Sequence, residues 1–529
     1  MLLFEGGFIM EQNGNTVNQK NNKKPFILLV SILLVLVIGA VGVFAYNQFV
    51  KNPLVQYAKA EINTMEELWS YKDKYYPNAR AVNEKMIKEP YESTLTLSAN
   101  AELPPQIAMY DPSLGEVQSI LSSLRFVLDS KINPDTNEAY GGVDFKLQGM
   151  SLLDAEVYQN EDITAAKVPL VYDKYFVFEN NKLGDFLYDV GELPEPLEMK
   201  IPNFVELKKG TLTQEEQLEF AKNYLEFFAE QISDENVAVT DNVSYEGGKY
   251  QKLEIQFSES EVHDLLKAFF EKAKEDGLFN SPFFNDQGLE EEFDTILEDI
   301  ESIKFPDGMT YEAYMDGDFV AYRTLTINID DGYEEVTLVF DMNTVIKGED
   351  EYDLLAQLTA KPASVEGEMV IKYNETGAPD GEQYLINRLA DFQFKDDFED
   401  IGFGFEGDTV YSDNTSETEF ELLFNFDGMT EIPNLGGYFN TEVEDNGDEA
   451  VKNFEIGLDV DIDDPFMGNI AFSIGLNGEN EITFTDKLDF PTVDETNSEY
   501  VFDLTPEDAD RILYEIEENL SMLESLLSY

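Results

Sequence analysis

Groups able to do covalent or metal chemistry are scarce in this chain. Its 529 residues include one histidine, His263, and no cysteine. Thiolate nucleophiles, thiolate metal sites and disulfides are excluded, and a histidine-based triad has one candidate base. His263 lies between Val262 and Asp264 on a capped helical stretch, where a packed or surface histidine suits the pattern better than a general base. There is no G-x-S-x-G, H-E-x-x-H or P-loop. Gly402-Phe-Gly-Phe-Glu-Gly407 satisfies G-x-G-x-x-G, but phenylalanines alternate with the glycines and turn residues follow. A dinucleotide loop needs a helix N-terminus there, so the segment reads as a glycine-rich strand. Asp459-x-Asp-x-Asp463 starts like a calcium loop, yet Asp464 and Ile470 stand where glycine and glutamate are required. It reads as the wet face of a strand. No catalytic residue is assigned, and the chain is expected not to be an enzyme.

Charge narrows the partners. With 108 acidic and 35 basic side chains the net charge is −73, which opposes nucleic-acid binding because phosphates need clustered lysine and arginine. Crowded carboxylates favour weak surface calcium binding; no cofactor and no dedicated metal site is expected. The candidate ligand-binding set is aromatic. Tyr172, Tyr175, Phe176 and Phe178 follow Pro169, which cannot donate to a sheet ladder. Leu265, Leu266, Phe269 and Phe270 share one helical face and are the expected opposite wall of a cleft.

The elements that must position these groups follow from periodicity. Phe26–Tyr46 carries no charge and follows Lys20, Lys23 and Lys24. At 1.5 Å per residue it spans about 31 Å, enough for a bilayer. The lysines place the N-terminus in the cytoplasm and the bulk of the chain outside. Glu5-Gly6-Gly7 shortly before Met10 resembles a translated ribosome-binding sequence, so Met10 is the expected start. Apolar residues from Leu54 to Trp69 recur at helical spacing up to Pro77. Strands dominate from Tyr91, and a pair of strong helices interrupts them. Ser258 with Glu261 makes a capping box for the second of these, and Thr505 caps a final helix from Pro506. Period-two alternation is sharpest in Phe454, Ile456, Leu458, Val460 and Ile462, and recurs in Phe420, Leu422, Phe424 and Phe426. Such faces must be covered, yet few strongly amphipathic helices are available. Sheet must pack on sheet, or a curved surface stays partly open.

The expected architecture is α+β: a cytoplasmic tail (1–24), a single transmembrane helix (25–46), a helical stalk (47–88), and two β-rich domains of antiparallel sheet (89–303 and 304–529) with a few amphipathic helices. The lysine-flanked anchor, the stalk and Lys167-Val-Pro-Leu-Val-Tyr-Asp-Lys-Tyr175 resemble uncharacterised membrane-anchored extracytoplasmic proteins of Gram-positive bacteria. That resemblance implies a cell-membrane location and no particular activity. The architecture is also similar to lipoprotein-carrier-like folds, in which a curved sheet partly wraps helices around an apolar cavity. The expected function is a membrane-anchored extracytoplasmic binding module for an apolar or amphipathic envelope ligand. The alternative is a non-enzymatic cell-surface scaffold with a cell-envelope protein partner.

Overall fold

The computed structural model describes residues 53–102, 113–191, 199–209, 214–276, 300–330, 332, 334–364, 367–395, 400–426, 434–464 and 468–527. The tail, Met10 and the expected anchor Phe26–Tyr46 lie outside them.

Alternating apolar and polar residues build strand after strand, joined mostly by tight hairpins. In chain order these are β1 (Tyr91–Glu102), β2 (Leu124–Asn133), β3 (Glu138–Leu147), β4 (Met150–Gln159), β5 (Ile163–Val168), β6 (Tyr172–Glu179), β7 (Val237–Tyr245), β8 (Gly248–Phe257), β9 (Met309–Asp316) and β10 (Phe319–Asp330). There follow β11 (Glu335–Gly348), β12 (Glu351–Pro362), β13 (Glu368–Asp380), β14 (Gln383–Lys395), β15 (Asp400–Ser412), β16 (Thr415–Phe426), β17 (Asn434–Asp445), β18 (Glu449–Asp464), β19 (Gly468–Phe484) and the short β20 (Ser498–Tyr500). Gly317 (φ 63°) and Gly447 (φ 87°) supply left-handed turn positions that residues with a Cβ adopt poorly. The run Gly402–Gly407 lies inside β15, paired on both sides.

Pairing joins all of these into one 20-stranded sheet. From β7 to β19 each strand pairs antiparallel with the next. Then β19 pairs with β1, from Tyr91 opposite Phe484 to Glu102 opposite Ser473. The sheet continues from β1 through β6 and ends on β20, the parallel partner of β6. Among the described residues β7 and β20 are its two edges. This corrects the α+β reading with two β-rich domains. The expected boundary near residue 303 is bridged three times, by β8 with β9, by β1 with β19 and by β6 with β20.

The expected stalk is also corrected. Its helices, α1 (Pro53–Tyr75) and α2 (Pro77–Lys88), lie on the sheet. Pro77 at the first position of α2 separates them, where its missing N–H costs nothing. With 23 and 12 residues, the pair is about 50 Å long at 1.5 Å per residue. The ten strand steps from β9 to β19 amount to about 48 Å at 4.8 Å each. The contacts follow that geometry. Tyr57 meets Tyr311 on β9, Tyr71 stacks on Tyr384 of β14 at 4.6 Å, and Tyr76 bonds Thr441 of β17. Lys85 reaches Asp445 at 2.9 Å, and Val82 is buried with Ile482 and Phe484 of β19.

Docking of α1 centres on a buried ion pair. Glu61 and Arg323 have side chains 1 % and 2 % exposed and form a bidentate pair. Tyr57 donates to Glu61 at 2.6 Å, and Arg323 donates to Thr344 at 3.2 Å. Burial and the Glu61 charge push the Tyr57 hydroxyl well above its ordinary range. Removing one partner of such a pair strands the other charge in the core. Glu61→Ala is therefore expected to cost about 3–5 kcal/mol, read as a lowered urea midpoint, whereas Glu61→Leu with Arg323→Met should recover most of it. A midpoint unchanged by Glu61→Ala would show that α1 is docked by other contacts.

Candidate functional site

The residues expected to line a cleft lie in two separate regions of the sheet. On β6, Tyr175 packs with Tyr158, Ala165 and Val177, and its hydroxyl donates to Glu156. Alternation turns Tyr172, Phe176 and Phe178 to the other face. Tyr172 stacks on Phe176 at 5.2 Å and donates to Glu499 of β20. Leu265, Leu266, Phe269 and Phe270 are all buried on α7 (Glu259–Glu275). There they form the main core with Tyr224 and Phe228 of α6 (Gln214–Gln231) and residues of β8 to β12. The expected capping box is present at Ser258 and Glu261, and His263 sits edge-on to Phe305 at 5.1 Å. Leu265, Leu266, Phe269 and Phe270 are thus closed-core residues, Phe176 and Phe178 are partly buried elsewhere, and among the described residues the two sets do not meet.

Sequence reading missed a different surface. Residues directly opposite on paired strands point to the same side of a sheet. Following the register from the core outward, Leu325, Phe340, Leu358, Ile371, Phe392, Phe403 and Phe424 form one continuous row across β10 to β16. Leu325 and Leu358 are buried under α1, α6 and α7. Further along, cover ends: Ile371 is 39 % and Phe403 47 % exposed. A neighbouring row runs through Phe420, Gly437, Leu458, Ile474 and Ala101, and Ile474 is 51 % exposed. A third joins Leu97, Phe126, Phe145 and Leu153 across β1 to β4, with Phe126 exposed. All of these share the face on which α1 and α2 lie, toward the strand ends those helices leave free. Scattered exposed apolar residues need no explanation, but contiguous ones mark a binding surface. Glycines tune its relief. A Cβ at Gly437 would stand 2.7 Å from the Phe420 ring and 2.1 Å from the Gly457 carbonyl oxygen, so the ring lies down over bare backbone.

The opposite face is acidic. Glu406 stands across from Glu421, and Asp408 from Glu419. Like charges directly opposite destabilise a sheet pair. Polar residues also interrupt the apolar face in two places. Glu375 accepts from Tyr352 at 2.5 Å, Tyr373 at 2.5 Å and Arg388 at 2.8 Å. Although burial opposes it, these bonds hold its carboxyl below the usual range, and the set is internally satisfied. The second interruption is not. Lys452 of β18 faces Asn480 of β19, and the Asn480 Oδ1 is buried with no hydrogen-bond partner. Alongside, Ser93 and Ser130 share a 2.8 Å hydrogen bond. Lys208 of α5 (Phe204–Lys209) lies over the Tyr91 ring at 4.3 Å and donates to its hydroxyl. Desolvation lowers the Lys208 ammonium to about 8.

No family model matches the chain, and no curated protein matches it. Solved structures do. OpdQ of Pseudomonas aeruginosa matches at 8 % identity and TM-score 0.24, over 75 % of this chain and 99 % of that one. Wzi of Escherichia coli, an outer-membrane carbohydrate-binding β-barrel, matches at 6 % and 0.23, over 77 % and 87 %. OmpT of Vibrio cholerae matches at 8 % and 0.21, over 74 % and 96 %. At such TM-scores the likeness carries no inference about activity. The matching chains include outer-membrane proteins, and among the described residues no helix is long and apolar enough to cross a membrane. The expected single-pass, signal-anchored cell-membrane location of Gram-positive type, with a cytoplasmic N-terminus, thus gains no support from the described residues, which do not include Phe26–Tyr46.

The acidic face yields a test of its own. Glu419→Thr removes one of two facing like-charge pairs and should raise stability by about 0.2–1 kcal/mol. The gain should be larger at low salt than at high salt in thermal melts. An equal or lower melting temperature at low salt would show that these carboxylates do not repel appreciably.

Proposed function

We propose that the chain is a non-enzymatic binding module for an apolar or amphipathic ligand, whose hydrocarbon part lies on the sheet's apolar face beyond α1 and α2. One observation carries the reading: half-exposed aromatic and aliphatic side chains stand in register across neighbouring strands, from β13 to β19 and on to β4. Fully burying such a side chain is worth about 1.5–3 kcal/mol, and about half of that remains available where it is half-exposed. A ligand that covers five of them therefore gains about 4–7 kcal/mol before any polar contact and before the cost of association. Long, flexible hydrocarbon fits this surface better than a compact solute does, because the rows extend along and across strands. The acidic opposite face keeps the second side of the sheet in water, so the ligand has one face to occupy.

The test is saturable binding of an environment-sensitive fatty-acid probe to the full chain. Phe403→Asp and Ile474→Asp should each weaken binding at least tenfold while leaving the melting temperature nearly unchanged, since both side chains are about half in water already. Phe269→Ala, in the closed core, should lower the melting temperature and leave probe affinity of the folded fraction intact. Absence of saturable binding, or binding indifferent to both aspartates, would remove the proposal.

A further inference from the structure

We infer that the polar border between α2 and the open apolar rows is a head-group site: Lys208 and Lys452, with Asn480 and the Ser93 and Ser130 hydroxyls, take the anionic head of an amphiphile whose chain runs along β1 toward Ala101. The inference rests on the acyl-binding reading of the apolar face and adds the ligand's charge and orientation to it.

Placement comes from the register. Ser93 lies opposite Ser130 on one side and Ile482 on the other. Two residues along β1, Leu95 stands opposite Asn480, which stands opposite Lys452. The block is three strand steps wide, about 15 Å. Tyr91, two residues back from Ser93, carries Lys208 above its ring. In the other direction the same face of β1 shows the partly exposed Leu95, Leu97 and Ala99, an apolar run of about 13 Å, before Ala101, which is buried and whose carbonyl accepts from Gln118 of the helix Ser113–Ser123. Polarity thus falls along a single strand, from a cationic end to a hydrocarbon end, which is the polarity of an amphiphile.

Charge complementarity points to an anion. A net charge of −73 repels anions at a distance, but salt screens that field beyond about 8 Å, so local pairing decides. Lys85 nearby is paired with Asp445. Lys452 and Lys208 have no carboxylate partner among the described residues. A desolvated ammonium without a counter-ion is costly, and a bound anion relieves that cost. The Asn480 Oδ1 is an acceptor lacking a donor; the P–O–H of a phosphate monoester monoanion supplies one, whereas a carboxylate head pairs with the lysines alone. The class of ligand is therefore a long-chain acid or alkyl phosphate.

Hexadecanol, palmitate and hexadecyl phosphate, titrated against the fatty-acid probe on the full chain, share one chain and differ in the head. The two anions are expected to bind at least tenfold tighter than the alcohol. In Lys208→Met with Lys452→Met that preference should vanish while hexadecanol affinity stays the same. Lys208→Arg with Lys452→Arg should keep the preference, which separates lost charge from lost folding. Equal affinities for alcohol and anions in the wild type, or a preference that survives in the methionine pair, would overturn the head-group site and leave the acyl-binding face standing. Failure of all three compounds to bind would overturn both.

Discussion

A sheet of this size has to hide an apolar face that the helices among the described residues are too few to cover. Alternation puts one side of nearly every strand from β9 to β4 into hydrocarbon character, and strand pairing lays those sides edge to edge. Covering them is the dominant requirement on everything else in the fold. Helices α6 and α7 close the part over β8 to β12, and α1 with α2 lie crosswise along one set of strand ends. What lies beyond their reach is the surface argued to bind.

The crosswise helices are held by polar chemistry as much as by packing. The Glu61–Arg323 pair, its tyrosine neighbours and the Tyr71–Tyr384 stack fix α1 at successive strands. Lys74 and Lys85 then pair with Asp350 and Asp445 at hairpin turns. Buried pairs add little net stability but tolerate few alternatives, so the helical line has one register on the sheet. A fixed line gives a fixed border, and the border is where polar groups meet open hydrocarbon at Ser93, Asn480 and Lys452.

Much of the local structure was legible. Phe454 to Ile462 announced β18 by strict alternation, Ser258 with Glu261 announced the start of α7, and the shortage of helices for so many apolar strand faces was visible in advance. Neighbour relations were not. Nothing in Leu95 or Asn480 tells that β1 and β19, nearly four hundred residues apart, lie side by side, because alternation fixes which way a side chain points and says nothing of which strand adjoins. For the same reason nothing in the sequence marks Glu61, whose partner is 262 residues away. Aromatic density misled at Tyr172–Phe178 and Leu265–Phe270, since a core enriches the same residues as a ligand wall.

The central claim is that the apolar rows beyond α1 and α2 are where hydrocarbon binds, and photo-crosslinking tests it most directly. A palmitate analogue with a diazirine on its chain, irradiated with the full chain and mapped by peptide mass spectrometry, should label the face carrying Phe403, Ile474 and Phe126. Labelling confined to the acidic face around Glu406 and Glu419, or to the closed core around Phe269, would contradict the account.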